Sequence, residues 1–288
     1  MTGVQTCALP IYVSLIKTMK NTLKSLIPSP LWRIARSAVI AAQNFPSMPA
    51  AYLHPWRRQS MDSLAELKDK YKGERCFIIG NGPSLRNTDV SKLKDEYTFG
   101  MNRIYIAFEE WGFQTTFLAS VNDLVIEQCV DDFLALDMPR FFSWRSHKFF
   151  LKFASENLPN FLYTTYSGEK FAEDVRYRVW EGATVTNICI QLAYHMGFEQ
   201  AILIGVDHSF KSKGEANKTI TSDGDDPNHF DPRYFGKGFR WQLPDLDMSE
   251  IAYAMARENY EKDNRQILDA TIGGQLTIFD KVDYDSLF

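Results

Sequence analysis

Two glycines one residue apart, Gly80 and Gly82, close a short apolar run and lead into a Pro83-Ser84 pair. Glycine admits backbone angles and close approaches that a Cβ forbids. Proline suits the first turn of a helix, where its missing N–H costs nothing. Gly80-Asn81-Gly82-Pro83-Ser84-Leu85 therefore predicts a strand–turn–helix whose free N–H groups and Ser84 hydroxyl form an anion site. A tight turn without a ligand uses the same residues. No Gly-Lys-Ser/Thr follows, so this is not a Walker A loop, and the third glycine of a dinucleotide fingerprint is missing.

Other residues of the right type follow strand-like runs. Asn102 and Asn122 each carry a donor and an acceptor, enough to read a base edge or ribose hydroxyl, or to cap a helix. Asp123 suits a metal, a ribose or a helix N-cap. Asp207, after an apolar run, suits a nucleotide or Mg²⁺, which takes one or two carboxylates with phosphate oxygens, or a plain loop cap. Thr184 and Thr186 open a helix, offering hydroxyls and unpaired N–H groups to a phosphate, although a Thr cap accounts for them too. A polar stretch then supplies His229, the best general-base candidate because an imidazole titrates near neutrality. Arg233, Lys237 and Arg240 follow as cations for a leaving phosphate, or as an ordinary basic loop.

Placing these residues requires alternating strands and helices. A helix is predicted over 61–72, then strands at Cys76–Ile79, Tyr97–Met101 and Thr116–Ser120, with a helix near 104–111. Arg140–Trp144 and Asn160–Thr165 are further strands. Thr184–Met196 is a helix closed by Gly197, followed by the apolar strand Gln200–Val206. Residues 211–247 are polar and without periodicity, as a lid or active-site loop would be. A helix over Ser249–Asn264 and strands at Gln266–Leu268 and Leu276–Phe279 end the chain. The pattern predicts an α/β fold: a Rossmann-like, doubly wound, mostly parallel sheet with ligands at the strands' carboxyl ends.

Charge divides the 288 residues. Residues 1–61 hold seven basic side chains and no acidic one, within a chain of formal charge −4. Residues 1–11, MTGVQTCALPI, are expected to be translated sequencing adapter and not native chain. Residues 12–60 read as a basic amphipathic helical arm able to lie on an anionic membrane, and 61–288 as the nucleotide-binding domain. The net acidity argues against a nucleic-acid partner, and no run of 18 apolar residues forms a membrane span. Cys76, Cys129 and Cys189 lack a CxxC pair and read as small buried hydrophobes of a reducing compartment.

Together, Gly80-Asn-Gly-Pro-Ser-Leu, Asn102, Asn122-Asp123, Thr184-Val-Thr, Gly205-Val-Asp207-His208 and His229-Phe resemble a known family. They are similar to the bacterial branch of the 6-hydroxymethylpterin diphosphokinase MptE-like proteins, which includes flagellin-glycosylation accessory factors. More distantly they resemble bacterial sialyltransferases that use CMP-sialic acid. Those carry Thr-Ser-Gly where this chain has Thr184-Val185-Thr186, and Tyr where Ser209 stands. The sialyltransferase resemblance implies a glycosyltransferase of surface-glycan synthesis needing no cofactor. Gly80, Asn81, Gly82, Asn102 and Asn122 would hold a nucleotide-activated donor such as a CMP-linked nonulosonic acid, and His229 would deprotonate a glycan, lipid-linked or protein acceptor. The implied place is the cytoplasm, at the inner membrane face. The archaeal pterin enzymes imply instead an ATP-dependent diphosphokinase with Mg²⁺ on Asp207 and Asp123. A non-catalytic nucleotide-binding scaffold is the third expectation.

Overall fold

In the computed structural model, residues 48–153, 157–212 and 214–288 are described, with positions 38, 39, 42 and 45 before them. The adapter-like 1–11 and most of the basic arm lie outside the described residues. The chain divides after Pro49, and Ala50–Phe288 forms one unit. Residues 50–60 thus fall within the unit, not within the arm. Helix α1 (Pro55–Leu67) starts six residues before its predicted position because Pro55 takes its first turn and His54 Nδ1 accepts from Trp56 N at 3.2 Å. Its Arg57 is fully buried and donates to the Arg176 carbonyl, so this cation is not on a free basic face.

Among the described residues, nine strands form one sheet in which every pairing is parallel. From β1 (Arg75–Ile79) the chain steps outward through β2 (Tyr97–Met101), β3 (Phe117–Ser120), β4 (Arg140–Ser143), β5 (Asn160–Thr165) and β6 (Arg178–Trp180). It then crosses back to lay β7 (Gln200–Ile204) on the other side of β1, and continues with β10 (Gln266–Asp269) and β11 (Asp280–Lys281). The direction of winding reverses between β1 and β7, the position where open α/β sheets open a crevice.

Alternation along each strand builds two cores. Cys76, Ile78, Phe99, Phe117, Phe141 and Leu203 bury one face, and Phe77, Ile79, Leu118, Phe142, Ile202 and Ile204 the other. The first face carries α6 (Val185–Met196), which is buried nearly all round because the sheet lies on one side and α7 (Leu246–Lys262) on the other. Gly197 ends α6 at φ +94°, as its sequence position requires. Between β2 and β4 lie the short helices α2 (Ile104–Ala107, wound as a 3₁₀ turn), α3 (Phe108–Trp111), α4 (Asp123–Gln128) and α5 (Val130–Ala135).

The polar 211–247 stretch is not a free lid. It contains an antiparallel pair, β8 (Thr219–Thr221) with β9 (Arg240–Gln242), and its Tyr234, Phe235 and Trp241 are buried in the second core. The expected strand 276–279 is instead loop: Leu276 and Phe279 are buried, and pairing begins at Asp280. Among the described residues no helix is long and apolar enough to cross a membrane.

Candidate functional site

The loops after β1, β2, β3 and β7, the start of α6 and the 211–247 stretch enclose a cavity of about 640 Å³ at the β1–β7 reversal. Gly80, Asn81, Gly82, Asn102, Asn122, Thr184, Thr186, Asp207 and His229 all line it. Of the sequence candidates, Pro83, Ser84, Asp123, Arg233, Lys237 and Arg240 do not.

The glycine turn differs most from expectation. Gly80 N donates to Ile204 O at 2.7 Å, Gly82 N to Gly205 O at 2.8 Å and Ser84 N to Asp207 Oδ1 at 3.1 Å. These amides are therefore occupied by the β7 loop and do not form an open anion cradle. The glycines are needed for that close approach: a Cβ on Gly80 would stand 2.3 Å from Gly205 O, and one on Gly82 1.9 Å from Asp207 Oδ2. Asn81 contributes differently. Its Nδ2 donates to Met101 O at 3.2 Å, while its Oδ1 is buried with no partner and Asn81 is 8% exposed. This is an acceptor awaiting a donor.

Asp207 accepts the Ser84 hydroxyl at 2.6 Å as well as the Ser84 amide, and so caps the turn. Asp123 Oδ1 accepts from Ser146 Oγ at 2.6 Å, and its Oδ2 faces the Arg145 guanidinium at 3.6 Å. The oxygens of both carboxylates are engaged by protein donors, and an arginine already stands where a cation would. They do not fit a shared Mg²⁺ site, and among the described residues no three His, Cys, Asp or Glu side chains cluster as metal donors. Arg233 is 77% exposed and paired with Asp231, and Arg240 pairs with Glu127, so these cations are spent at the surface. Lys237 is exposed. Among the described residues lining the cavity, none is Lys or Arg.

Asn102 lies at φ +49°, with its Oδ1 accepting from Ser120 Oγ at 2.9 Å. Asn122 caps α4 through Leu124 N at 3.0 Å while still facing the cavity. At the start of α6, Thr184 accepts from Thr186 N at 3.2 Å, and Ala183 and Gly182 hold positive φ. This twelve-residue helix directs its N-terminal dipole at the cavity.

His229 is held by a partner that sequence reasoning missed. Its Nδ1 lies 2.6 Å from Oδ2 of Asp226, whose side chain is 1% exposed. Asp226 is itself fixed by the amides of Asn228 (2.8 Å) and Phe235 (3.1 Å). The imidazole stacks on Tyr234 at 4.1 Å, and Phe230 N donates to Asn81 O at 2.9 Å, tying this loop to the glycine turn. With Asp226 accepting from Nδ1–H, Nε2 is left as an acceptor. The i, i+3 spacing of Asp226 and His229 was the one available signal. One further group was missed. Glu181 is buried, 2.7 Å from Arg145 Nη1 without hydrogen-bond alignment, and burial pushes its carboxyl above the usual range against the pull of Arg145. His208 sits at φ +54° with Nε2 2.9 Å from Glu250.

A family model described as 6-hydroxymethylpterin diphosphokinase MptE-like matches residues 55–213, more than half of the chain, and the chain belongs to that family. A search of the curated proteins finds no match. Among solved structures, the chain is similar to the MAf glycosyltransferase from Magnetospirillum magneticum AMB-1, at 16% identity and TM-score 0.45. That similarity takes in 91% of this chain, which spans only 43% of the length of the other. It is also similar to the sialyltransferase CstII from Campylobacter jejuni, at 13% identity and TM-score 0.41, covering 73% of this chain and 86% of that one.

Proposed function

We propose that this MptE-like chain is a glycosyltransferase acting from a nucleotide-activated donor. The observation that carries the reading is the Asp226–His229 pair on the wall of the β1–β7 cavity: a buried, anchored carboxylate orienting an imidazole that keeps one nitrogen free. Such a pair suits taking a proton from a hydroxyl. The acceptor oxygen would lose its proton to His229 Nε2 and attack the anomeric carbon. The bond from that carbon to the donor phosphate oxygen breaks, and the nucleotide leaves with the electron pair. Asn81 Oδ1 and the Asn102 amide suit the nucleoside, and the α6 start suits the phosphate. The acceptor is a glycan, lipid-linked or protein hydroxyl, and the basic arm would hold the molecule at an anionic membrane.

The family's description carries a second reading, diphosphate transfer from ATP to a hydroxymethylpterin. The engagement of Asp207 by Ser84, and of Asp123 by Ser146 and Arg145, weighs against its metal chemistry at these residues.

Thermal shifts with CMP, UDP, GDP and ATP, each with and without Mg²⁺, test the choice, since a ligand at a hundredfold excess over Kd stabilises by about 2.7 kcal/mol. A metal-independent shift with CMP, UDP or GDP is expected. A shift confined to Mg²⁺–ATP would replace the reading with diphosphate transfer, and no shift would leave a scaffold. In turnover assays His229→Ala should lower kcat by about 10² or more while preserving the nucleotide shift.

A further inference from the structure

A nucleotide donor brings a phosphate into a cavity whose described lining holds no Lys or Arg. The helix dipole of α6 amounts to about half a charge. One side chain can supply the rest. His208 stands on the loop after β7, lines the cavity and adopts φ +54°, a conformation that is costly for a residue with a Cβ and persists where the surroundings enforce it. The reason for the turn is visible on its two sides. Asp207 points back to Ser84, whereas His208 is thrown the other way, toward α7, where Nε2 meets Glu250 Oε1 at 2.9 Å. The side chain is 8% exposed, and its ring lies 6.2 Å from that of Tyr253. With Nε2 directed to a carboxylate, Nδ1 is the nitrogen left for a ligand.

Building on the donor reading above, we infer that His208, protonated on both nitrogens and oriented by Glu250, is the cation that binds the donor phosphate and neutralises it as the nucleotide departs. The molecule then carries two histidine–carboxylate pairs with separate duties, His229–Asp226 for the acceptor proton and His208–Glu250 for the leaving group. The charged and titratable groups around His208 are Glu250 and Tyr253 on α7 and Asp207 beside it; Glu181, Asp245 and His229 occupy other parts of the wall.

Calorimetric affinities at pH 6 and pH 8 test this with full-length protein, using whichever of CMP, UDP and GDP gives the largest thermal shift, and its nucleoside. The variant is His208→Asn, because Asn tolerates positive φ and folds without added strain. For the wild type, nucleotide affinity should fall by about tenfold or more from pH 6 to pH 8, the worth of one hydrogen bond to a charged group, while nucleoside affinity stays level. At pH 6 His208→Asn should bind the nucleotide about tenfold more weakly than wild type, and at pH 8 the two should bind it alike. The phosphate's own ionisation is common to both proteins and cancels. Wild-type affinity and slope in the variant would overturn the assignment, as would equal loss of nucleoside binding, which marks a structural role. If His229→Asn removes the slope instead, the cation is His229. If neither protein binds any nucleotide, the donor reading itself falls.

Discussion

Asp226 determines which nitrogen His229 presents. Asp226→Asn would place an amide against Nδ1 and let the imidazole carry its proton on Nε2, the nitrogen that must accept. The expected result is a kcat lower by about 10² or more with the nucleotide-induced thermal shift unchanged, and an unaltered kcat would remove the base from the scheme. Gly80 poses a different problem, since the atom that a new Cβ would strike is the Gly205 carbonyl at 2.3 Å, which is backbone. Gly80→Ala should destabilise by about 2–3 kcal/mol in urea unfolding, the cost of forcing two strand ends apart. Gly224→Ala, with nothing within 4 Å, is the neutral comparison. Both residues show what could be seen in advance. Gly80 and His229 stand out by type and setting. The partner of each, Gly205 and Asp226, is fixed by a third dimension that type and spacing carry only weakly. Arg233 and Lys237 were read as cations for the same site as His229, yet a salt bridge to Asp231 two residues away turns Arg233 outward and Lys237 stays in solvent.

At the scale of elements, short, largely apolar runs were enough to place β1, β2, β3, β5 and β7 to within two residues, because buried parallel strands are apolar on both faces. β6 and β8 were invisible: three residues each, with Arg178 and two threonines at an edge, they follow their neighbours' pairing and not their own composition. The α6 helix was legible from end to end, and it carries a pH prediction. His195 in its last turn is 1% exposed, with Nε2 2.8 Å from Leu64 O, Nδ1 unpartnered and Asp174 Oδ1 3.6 Å away. Burial pushes its imidazole below the ordinary range, with the Leu64 carbonyl and Asp174 opposing. The unfolded chain therefore binds the proton more readily than the native one, so stability falls as pH drops through the free imidazole value of about 6.5 and below. His195→Gln can keep the bond to Leu64 O and loses the titration. Its melting temperature should fall less than that of wild type between pH 7.5 and 5.5, with His147, also lowered first by burial, left to account for the remainder. Parallel pH profiles for the two proteins would refute this source of acid sensitivity.

For the molecule as a whole, charge is the property that composition reports and the sheet does not explain. Of the 32 Lys and Arg, only Lys17, Lys20, Lys24, Arg33 and Arg36 precede Ala50, with no acidic residue among them. Ala50–Phe288 is left with 27 basic against 36 acidic side chains, a formal charge of −9. The unit that contains the cavity is repelled by an anionic surface, and the segment before it is attracted. Each Lys or Arg close to an anionic leaflet contributes about 1 kcal/mol, and the attraction decays within a Debye length of about 10 Å at 0.1 M salt. Sedimentation with vesicles containing about a third phosphatidylserine should therefore bring down the full chain at low salt, release it at about 0.5 M salt, and leave a chain beginning at Ala50 in the supernatant throughout. The shorter chain should keep the nucleotide thermal shift, because every described residue lining the cavity follows Ala50. Equal sedimentation of the two chains would detach the basic segment from any membrane role, and loss of the shift would mean that the segment serves the cavity instead.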